Sequence, residues 1–271
     1  MATAAATADV VVARPAALLP ALRYVEREAR VWRRLWRGGV FSGLVTPILF
    51  LGAMGLGLGG LVDDKGSVSG LDYLTFVAPG LLAASALQSA AGSSLWPVMG
   101  GVKWQGHFNA AVASPLRPAD VYFGYVTWIG IQVGMHAVPF VIVAALLGGV
   151  PSAWAILAIP AAVLCALAFA APLVAFAVVQ QTDVYFAVVM RILVLPMFLF
   201  SGTFFPLENL PAGIRPVAWI TPLWHGVELC RGATTGSLGL AAALGHIAFL
   251  AGCIAAGALW GVRNFSRRLT P

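Results

Sequence analysis

Charge is what this sequence most lacks. Of its 271 residues only 10% are Asp, Glu, Lys or Arg, against roughly 25% in a soluble domain. Hydrophobic residues make up 60%, and mean hydropathy is +0.90. That balance excludes an ordinary water-soluble fold and fits an integral membrane protein of one domain. Lysine is nearly absent: Lys65 and Lys103 are the only two. Neither stands in a G-x-x-x-x-G-K-[ST] loop, so the chain lacks that phosphate cradle and is not expected to hydrolyse ATP itself. Cysteine is scarce as well. Cys165, Cys230 and Cys253 have no metal or disulfide-framework spacing, and read as small buried hydrophobes. Met1–Ala13 lack the basic start and apolar core of a signal peptide, so residues 1–14 read as a disordered tail ahead of a single domain over residues 15–271.

The charge that is present has a pattern. The net charge is +6, but the basic residues are spread over loops rather than gathered in one patch. Loops facing anionic lipid explain them more simply than nucleic acid does. Over Pro15–Arg37, Leu18, Leu22, Val25, Ala29, Trp32 and Trp36 recur at three- and four-residue steps. Arg23, Arg27, Arg30 and Arg34 form another face, joined by Arg33 and Arg37. This predicts an amphipathic helix lying in the membrane interface.

Six apolar stretches follow, at about 40–60, 73–98, 122–147, 153–179, 184–205 and 238–262. Each reaches the roughly 20 residues that a bilayer demands. The predicted fold is therefore all-α, with six transmembrane helices after the interfacial one. Seven arginines lie before the first span, Lys103 and Arg117 between the second and third, and three arginines in the tail. The alternate loops hold only Lys65, Arg215 and Arg231. The positive-inside rule then places both termini, and the Gly100–Val121 loop, in the cytoplasm.

Between the last two spans, Leu195–Gly232 (LPMFLFSGTFFPLENLPAGIRPVAWITPLWHGVELCRG) is too apolar for a solvated loop and too rich in proline for one helix. Ser201-Gly202 and Pro206 are expected to stop the fifth span, because glycine permits a turn and proline removes a backbone donor. The chain after them is expected to fold back as short re-entrant helices over an outer gate of Ser201, Gly202, Phe205, Pro206 and Glu208. Irregular backbone at that depth is tolerated only against protein or a wet cavity. Glu208 would stand near the positive end of such a helix.

Polar residues inside spans are the other candidates, since they usually face a cavity or a partner. Gln88 lies in the second span. Gln132 and His136, four apart, share one face of the third; they either hydrogen-bond within the bundle or meet a polar headgroup. Arg191, in the fifth, either lines a translocation path or snorkels to headgroups. An intramembrane protease would need Ser85 or Ser201 beside His136 or His246, but no nucleophile motif surrounds either serine. An ATP-independent channel or secondary transporter would be favoured by inverted repeats with paired broken spans, and none is visible.

Four segments resemble one family. They are Tyr73–Ala90 (YLTFVAPGLLAASALQSA), Ser114–Gly124 (SPLRPADVYFG), Leu195–Pro211 (LPMFLFSGTFFPLENLP) and Pro222–Leu229 (PLWHGVEL). The chain is similar, from about Val25 to Arg268, to membrane subunits of type-2 ABC exporters, and within them to the lipo-oligosaccharide (NodJ-like) export branch. The resemblance implies a permease without cofactors of its own. It would pair with a second copy or a paralogue in the bacterial plasma membrane, and with separate ABC ATPase subunits that carry ATP and magnesium. It implies that Gly101–Pro115 is a coupling helix, with Lys103, Trp104, Gln105, His107 and Phe108 at the ATPase contact and Trp104, His107 and Phe108 as plugs. Where the family often has a Glu or Thr in this helix, Gln105-Gly106-His107-Phe108-Asn109 stands here. The implied cargo is an amphiphile, such as a lipid-linked saccharide or a hydrophobic drug.

Overall fold

Apolar residues dominate the chain so heavily that nearly every described segment is helical. The structure is a computed structural model and describes residues 18–63, 68, 70–211, 213 and 215–269. The expected disordered tail lies outside the described residues. The first helix, α1 (Leu18–Leu51), runs on through a π-helical turn (Gly52–Leu58) into α2 (Gly59–Asp63). This corrects the expectation of a separate interfacial helix. Gly38-Gly39 weakens the junction by only about 1 kcal/mol per glycine. Beyond Pro20 in its first turn, the only proline in α1 is Pro47, so no backbone donor is missing where the break was expected.

The second apolar stretch forms α3 (Tyr73–Ser94) and α4 (Trp96–Lys103), broken at Leu95 just ahead of Pro97. A tight turn leads into α5 (His107–Val112) through Gly106, which takes φ 64°. Then α6 (Pro118–Leu146) starts with proline in its first turn, where the missing N–H costs nothing. The Arg117 N–H donates to Asp120 Oδ2 at 2.9 Å and closes that cap. After a 3-10 turn at Ala153–Leu157, capped by the Ser152 hydroxyl, α7 (Ala158–Ala177) begins. Next come α8 (Val184–Val189), a π-helical turn (Met190–Val194) and α9 (Leu195–Phe200). Short segments follow: a 3-10 turn (Leu207–Asn209), α10 (Arg215–Trp219) and α11 (Pro222–Thr235). The last helix is α12 (Leu240–Leu269).

The core is built on α7, which touches α3, α6, α11 and α12. Its buried face is mostly alanine: Ala158, Ala162, Ala166, Ala170 and Ala171 are fully buried. Small residues let helix backbones approach without a hydrophobic drive from water. At Gly257 of α12, an added Cβ would stand 2.5 Å from the Pro172 nitrogen, so only glycine fits that crossing. Two side-chain bonds staple the same region: the Tyr122 hydroxyl donates to the Ala171 carbonyl at 3.1 Å, and Asn264 Nδ2 to the Ala175 carbonyl at 2.8 Å.

Among the described residues, four helical stretches are long and apolar enough to cross a membrane: Tyr73–Lys103, Pro118–Leu146, Ala153–Ala177 and Leu240–Leu269. They correspond to the second, third, fourth and sixth of the six predicted spans. The stretch predicted as the fifth is a shorter apolar helix, Val184–Phe200. The first predicted span is helical but is not among the four. No β-strand occurs among the described residues, and Val68 and Leu71 make one isolated bridge.

Candidate functional site

Two regions at opposite ends of the bundle carry the distinctive side chains. The first is the end holding the start of α1, the α4–α5 corner and the end of α12, here termed the basic end. Trp104, on the turn after α4, is 69% exposed, and Gln105 and Lys103 are exposed beside it. Lys103 Nζ donates to the Gln181 carbonyl, tying the corner to the turn between α7 and α8. An edge contact from Trp96 to Phe186, with ring centroids 5.6 Å apart, makes a second tie.

Phe108 corrects the sequence expectation. It is fully buried, so in this arrangement it is no plug for a partner. Its ring stands 6.1 Å from Tyr24, 5.3 Å from Tyr125 and 5.6 Å from Phe265, centroid to centroid. Tyr122 adds an edge contact to Phe265 at 5.3 Å. One aromatic cluster thus joins α1, α5, α6 and α12, because a phenyl ring gains most where it is removed from water and meets ring edges. His107 is partly buried beside Phe108. Burial, with the Arg27 charge adding, pushes its imidazole down to about 4.

The buried side of α1 differs from the one read from periodicity. Tyr24 is buried, whereas Leu22 and Trp36 are 53% and 46% exposed. The helix lies against α6 where Gly124 leaves room: an added Cβ there would come within 2.8 Å of the Ala21 carbonyl oxygen. The arginine face is partly neutralised by ion pairs from Arg27 to Glu28 and from Arg30 to Glu26.

The second region follows α9. The helix stops at Phe200, and Gly202 takes φ 79°, a conformation glycine adopts without strain. Ser201 and Thr203 are fully buried and share a hydrogen bond of 2.9 Å. Thr203 rests on α3, where a Cβ on Gly80 would stand 2.9 Å from the Thr203 Cα. Phe205 and Pro206 are partly buried and Glu208 is exposed. From there the chain reaches α11, which runs antiparallel beside the first half of α7. The Cys165 thiol meets the Pro222 carbonyl, Cys230 meets that of Ala158, and the Ser152 N–H donates to the Thr234 carbonyl at 3.0 Å.

Sequence reasoning counted Arg231 as one more loop charge and missed its place. Arg231 is nearly buried on α11, and its guanidinium lies 4.1 Å above the Phe76 ring. It donates to Glu228 at 3.1 Å and to the Gly202 carbonyl at 2.7 Å. Its Nε is buried without a hydrogen-bond partner. With Glu208, Arg215, Trp219, Trp224 and Glu228 it lines a cavity of about 310 Å³. An arginine in an apolar segment was the available signal, since such a charge needs partners.

Beside this cavity, His246, weighed from sequence only as a protease histidine, pairs instead with His225, which the sequence reading did not single out. Their Nδ1 atoms are 2.8 Å apart, and His225 Nε2 lies 2.9 Å from the Trp219 carbonyl oxygen. A carbonyl only accepts, so His225 Nε2 carries a proton, and the His246 Nδ1–H then donates to His225 Nδ1. This ties α10, α11 and α12 together.

The polar residues predicted to line a path do not converge within the chain. Gln88 and Arg191 are exposed on the bundle surface, while Gln132 and His136 are partly buried on α6. Ser85 donates to the Leu82 carbonyl and Ser201 bonds to Thr203, so neither serine is paired with a histidine. Among the described residues no group of three or more His, Cys, Asp or Glu is placed to hold a metal ion.

The profile of the family described as "ABC-2 type transporter" matches residues 23–234, which takes in the Arg231 cavity and the basic-end cluster except Phe265. Curated relatives agree. Nodulation protein J of Rhizobium leguminosarum bv. viciae is 29% identical over 223 residues, 82% of this chain and 85% of the relative. Nodulation protein J of Sinorhizobium fredii (strain NBRC 101917 / NGR234) is 28% identical over 242 residues, 88% and 91% of the two. That of Rhizobium meliloti (strain 1021) is 26% identical over 211 residues, 78% and 79%. With most of its length matched and four membrane-length apolar helices, the chain belongs to the ABC-2 type transporter family as a multi-pass membrane protein.

Proposed function

We propose that this chain is the permease subunit of an ATP-driven exporter that moves an amphiphile out of a bacterial cytoplasm. It works beside a second copy or a paralogue and two separate ATPase subunits, which hold ATP and magnesium. The basic end, with both termini, faces the cytoplasm of the plasma membrane, and α10 and α11 are re-entrant on the outer side.

The observation that carries this reading, once the family is given, is the α4–α5 corner. A tryptophan at 69% exposure costs hydration unless something covers it, and buried aromatic anchors dominate interface energies. The corner sits on a cluster that reaches α1, α6 and α12, so a push on it is passed to three helices. The cargo class rests on lining chemistry. Polar side chains collect in the Arg231 cavity, while a second, mostly apolar cavity lies among α7, α9 and α12.

The test is recovery of the chain from its native membrane with a mild detergent and an affinity tag. The expected result is co-purification of an ATP-hydrolysing subunit, lost when Trp104 becomes Ala. A chain recovered without any nucleotide-hydrolysing partner, with transport persisting in ATP-depleted vesicles, overturns the reading in favour of an ATP-independent carrier.

A further inference from the structure

The short helix α10 is a wall between two unlike spaces. On one side lies the polar cavity of about 310 Å³, to which it contributes Arg215 and Trp219. On the other lies an apolar cavity of about 590 Å³, to which it contributes Val217 and Ala218. The apolar space is further lined by Phe169 and Pro172 of α7, Pro196 and Met197 of α9, and Ala256 and Trp260 of α12.

Depth and chemistry identify an occupant for each side. Ala256 lies sixteen residues into the 30-residue α12, about 24 Å from its start. The apolar space therefore opens, past the exposed Ile192 and Trp260, at hydrocarbon level in a bilayer about 30 Å thick. Water gains no hydrogen bonds from such walls, whereas a hydrocarbon chain fits them. In the polar cavity, two carboxylates face two guanidiniums, so the lining has no net charge. Arg231 Nε is a buried donor left open, and the Glu208 carboxylate takes part in no ion pair among the described residues. Lining with both signs complements a headgroup that also carries both.

We propose that the two cavities are the tail and headgroup subsites of one site, within a single protomer, for a zwitterionic membrane amphiphile that enters sideways between α9 and α12. α10 is the element around which the molecule is held. The inference rests on the reading of the chain as an amphiphile exporter only for the amphiphile's later passage. Occupancy is measured without ATP or a partner, so its failure and a failure to recover an ATPase are separate results.

The test places the full chain in nanodiscs of phosphatidylcholine carrying a photoreactive diazirine at the end of one acyl chain. After irradiation, mass mapping is expected to find label on Met197, Phe200 and Cys253, which line the apolar space. Ala256→Trp fills that space and is expected to reduce this label to background. Ala255→Trp, at an exposed neighbour outside the lining, is the folding control and is expected to keep it. Glu208→Arg makes the polar cavity cationic and is expected to shift preference to the same probe with a phosphatidylglycerol headgroup. Label unaffected by Ala256→Trp overturns the tail subsite. So does label of equal strength on the exposed α6 residues Ile142 and Leu146, or none at all because a second copy covers the opening. A headgroup preference unchanged by Glu208→Arg overturns the head subsite.

Discussion

Separating Phe108 from Trp104 is the sharpest test of the basic end, because the two aromatics lie four residues apart and answer to different physics. Phe108→Ala removes a fully buried ring with three aromatic neighbours besides His107. Such truncations cost about 3–5 kcal/mol, and each ring pair adds about 0.5–1.5 kcal/mol beyond area. At about 2–4 °C per kcal/mol for a chain of this size, the thermal midpoint of the purified protein should fall by roughly 10 °C. Trp104→Ala removes a ring that is mostly in solvent, so stability should change by no more than about 0.5 kcal/mol. Its effect should appear instead in partner binding, where losing an anchoring aromatic costs about 2 kcal/mol or more, roughly thirtyfold in affinity. The assay is a melting curve in detergent for each single variant, with ATPase recovery measured alongside. A Phe108→Ala protein as stable as the parent would refute the buried cluster. A destabilised Trp104→Ala protein would refute the exposed corner.

Three further outcomes are expected. Arg231→Lys keeps the charge but not the fork that spans Glu228, the Gly202 carbonyl and the Phe76 face; it should lose about 1–3 kcal/mol, seen as a lower thermal midpoint, and a midpoint equal to the parent's would show the network to be idle. His107 has a lowered folded pKa, so its neutral form is the folded one: that contribution is present above the unfolded pKa of about 6.5 and is lost as pH falls towards about 4. Melting curves across that window should show the loss, and His107→Phe should flatten it; an unchanged slope in the variant removes His107 as the cause. After Cys253→Ser, cysteines at Glu208 and Asn209 should react with an impermeant thiol reagent on intact cells, while those at Leu210 and Ala218, both buried, should not. The native Cys165 and Cys230 are buried and can stay. Uniform reaction would indicate a solvated loop, and reaction only after lysis would reverse the orientation.

Much of the helix layout was legible because membrane-length apolar runs and prolines report on backbone bonding directly. The Ser201-Gly202 step marks the boundary expected of it, whereas the break ahead of Pro97 and the start of α6 at Pro118 were not read. The continuity of α1 was hidden: Gly38-Gly39 looks like a break, yet two glycines cost less than the packing of one long helix returns. Phe108 and Trp104 were indistinguishable in sequence, as both are aromatics in a short polar loop. Only the register of α5 against α1 and α12 decides which one turns inward. The same limit applies to Arg231 and the His225–His246 pair, whose partners come from α3, α10 and α12 and leave no local spacing to read.

The two π-helical turns, Gly52–Leu58 and Met190–Val194, lie outside the four helical stretches long and apolar enough to cross a membrane. Each wide turn holds an extra residue against the regular i→i−4 ladder. Moving that extra residue one step along exchanges one backbone hydrogen bond for another, and no bond is lost overall. The helix between the old and new positions then turns by about 100°, the angle of one residue in a 3.6-residue turn. Arg191 sits inside the second of these turns. Such a step would turn the direction its guanidinium faces. A rotating segment of this kind can present the same cation to lipid in one state and to a neighbouring surface in another, while the alanine-packed α7 stays where it is.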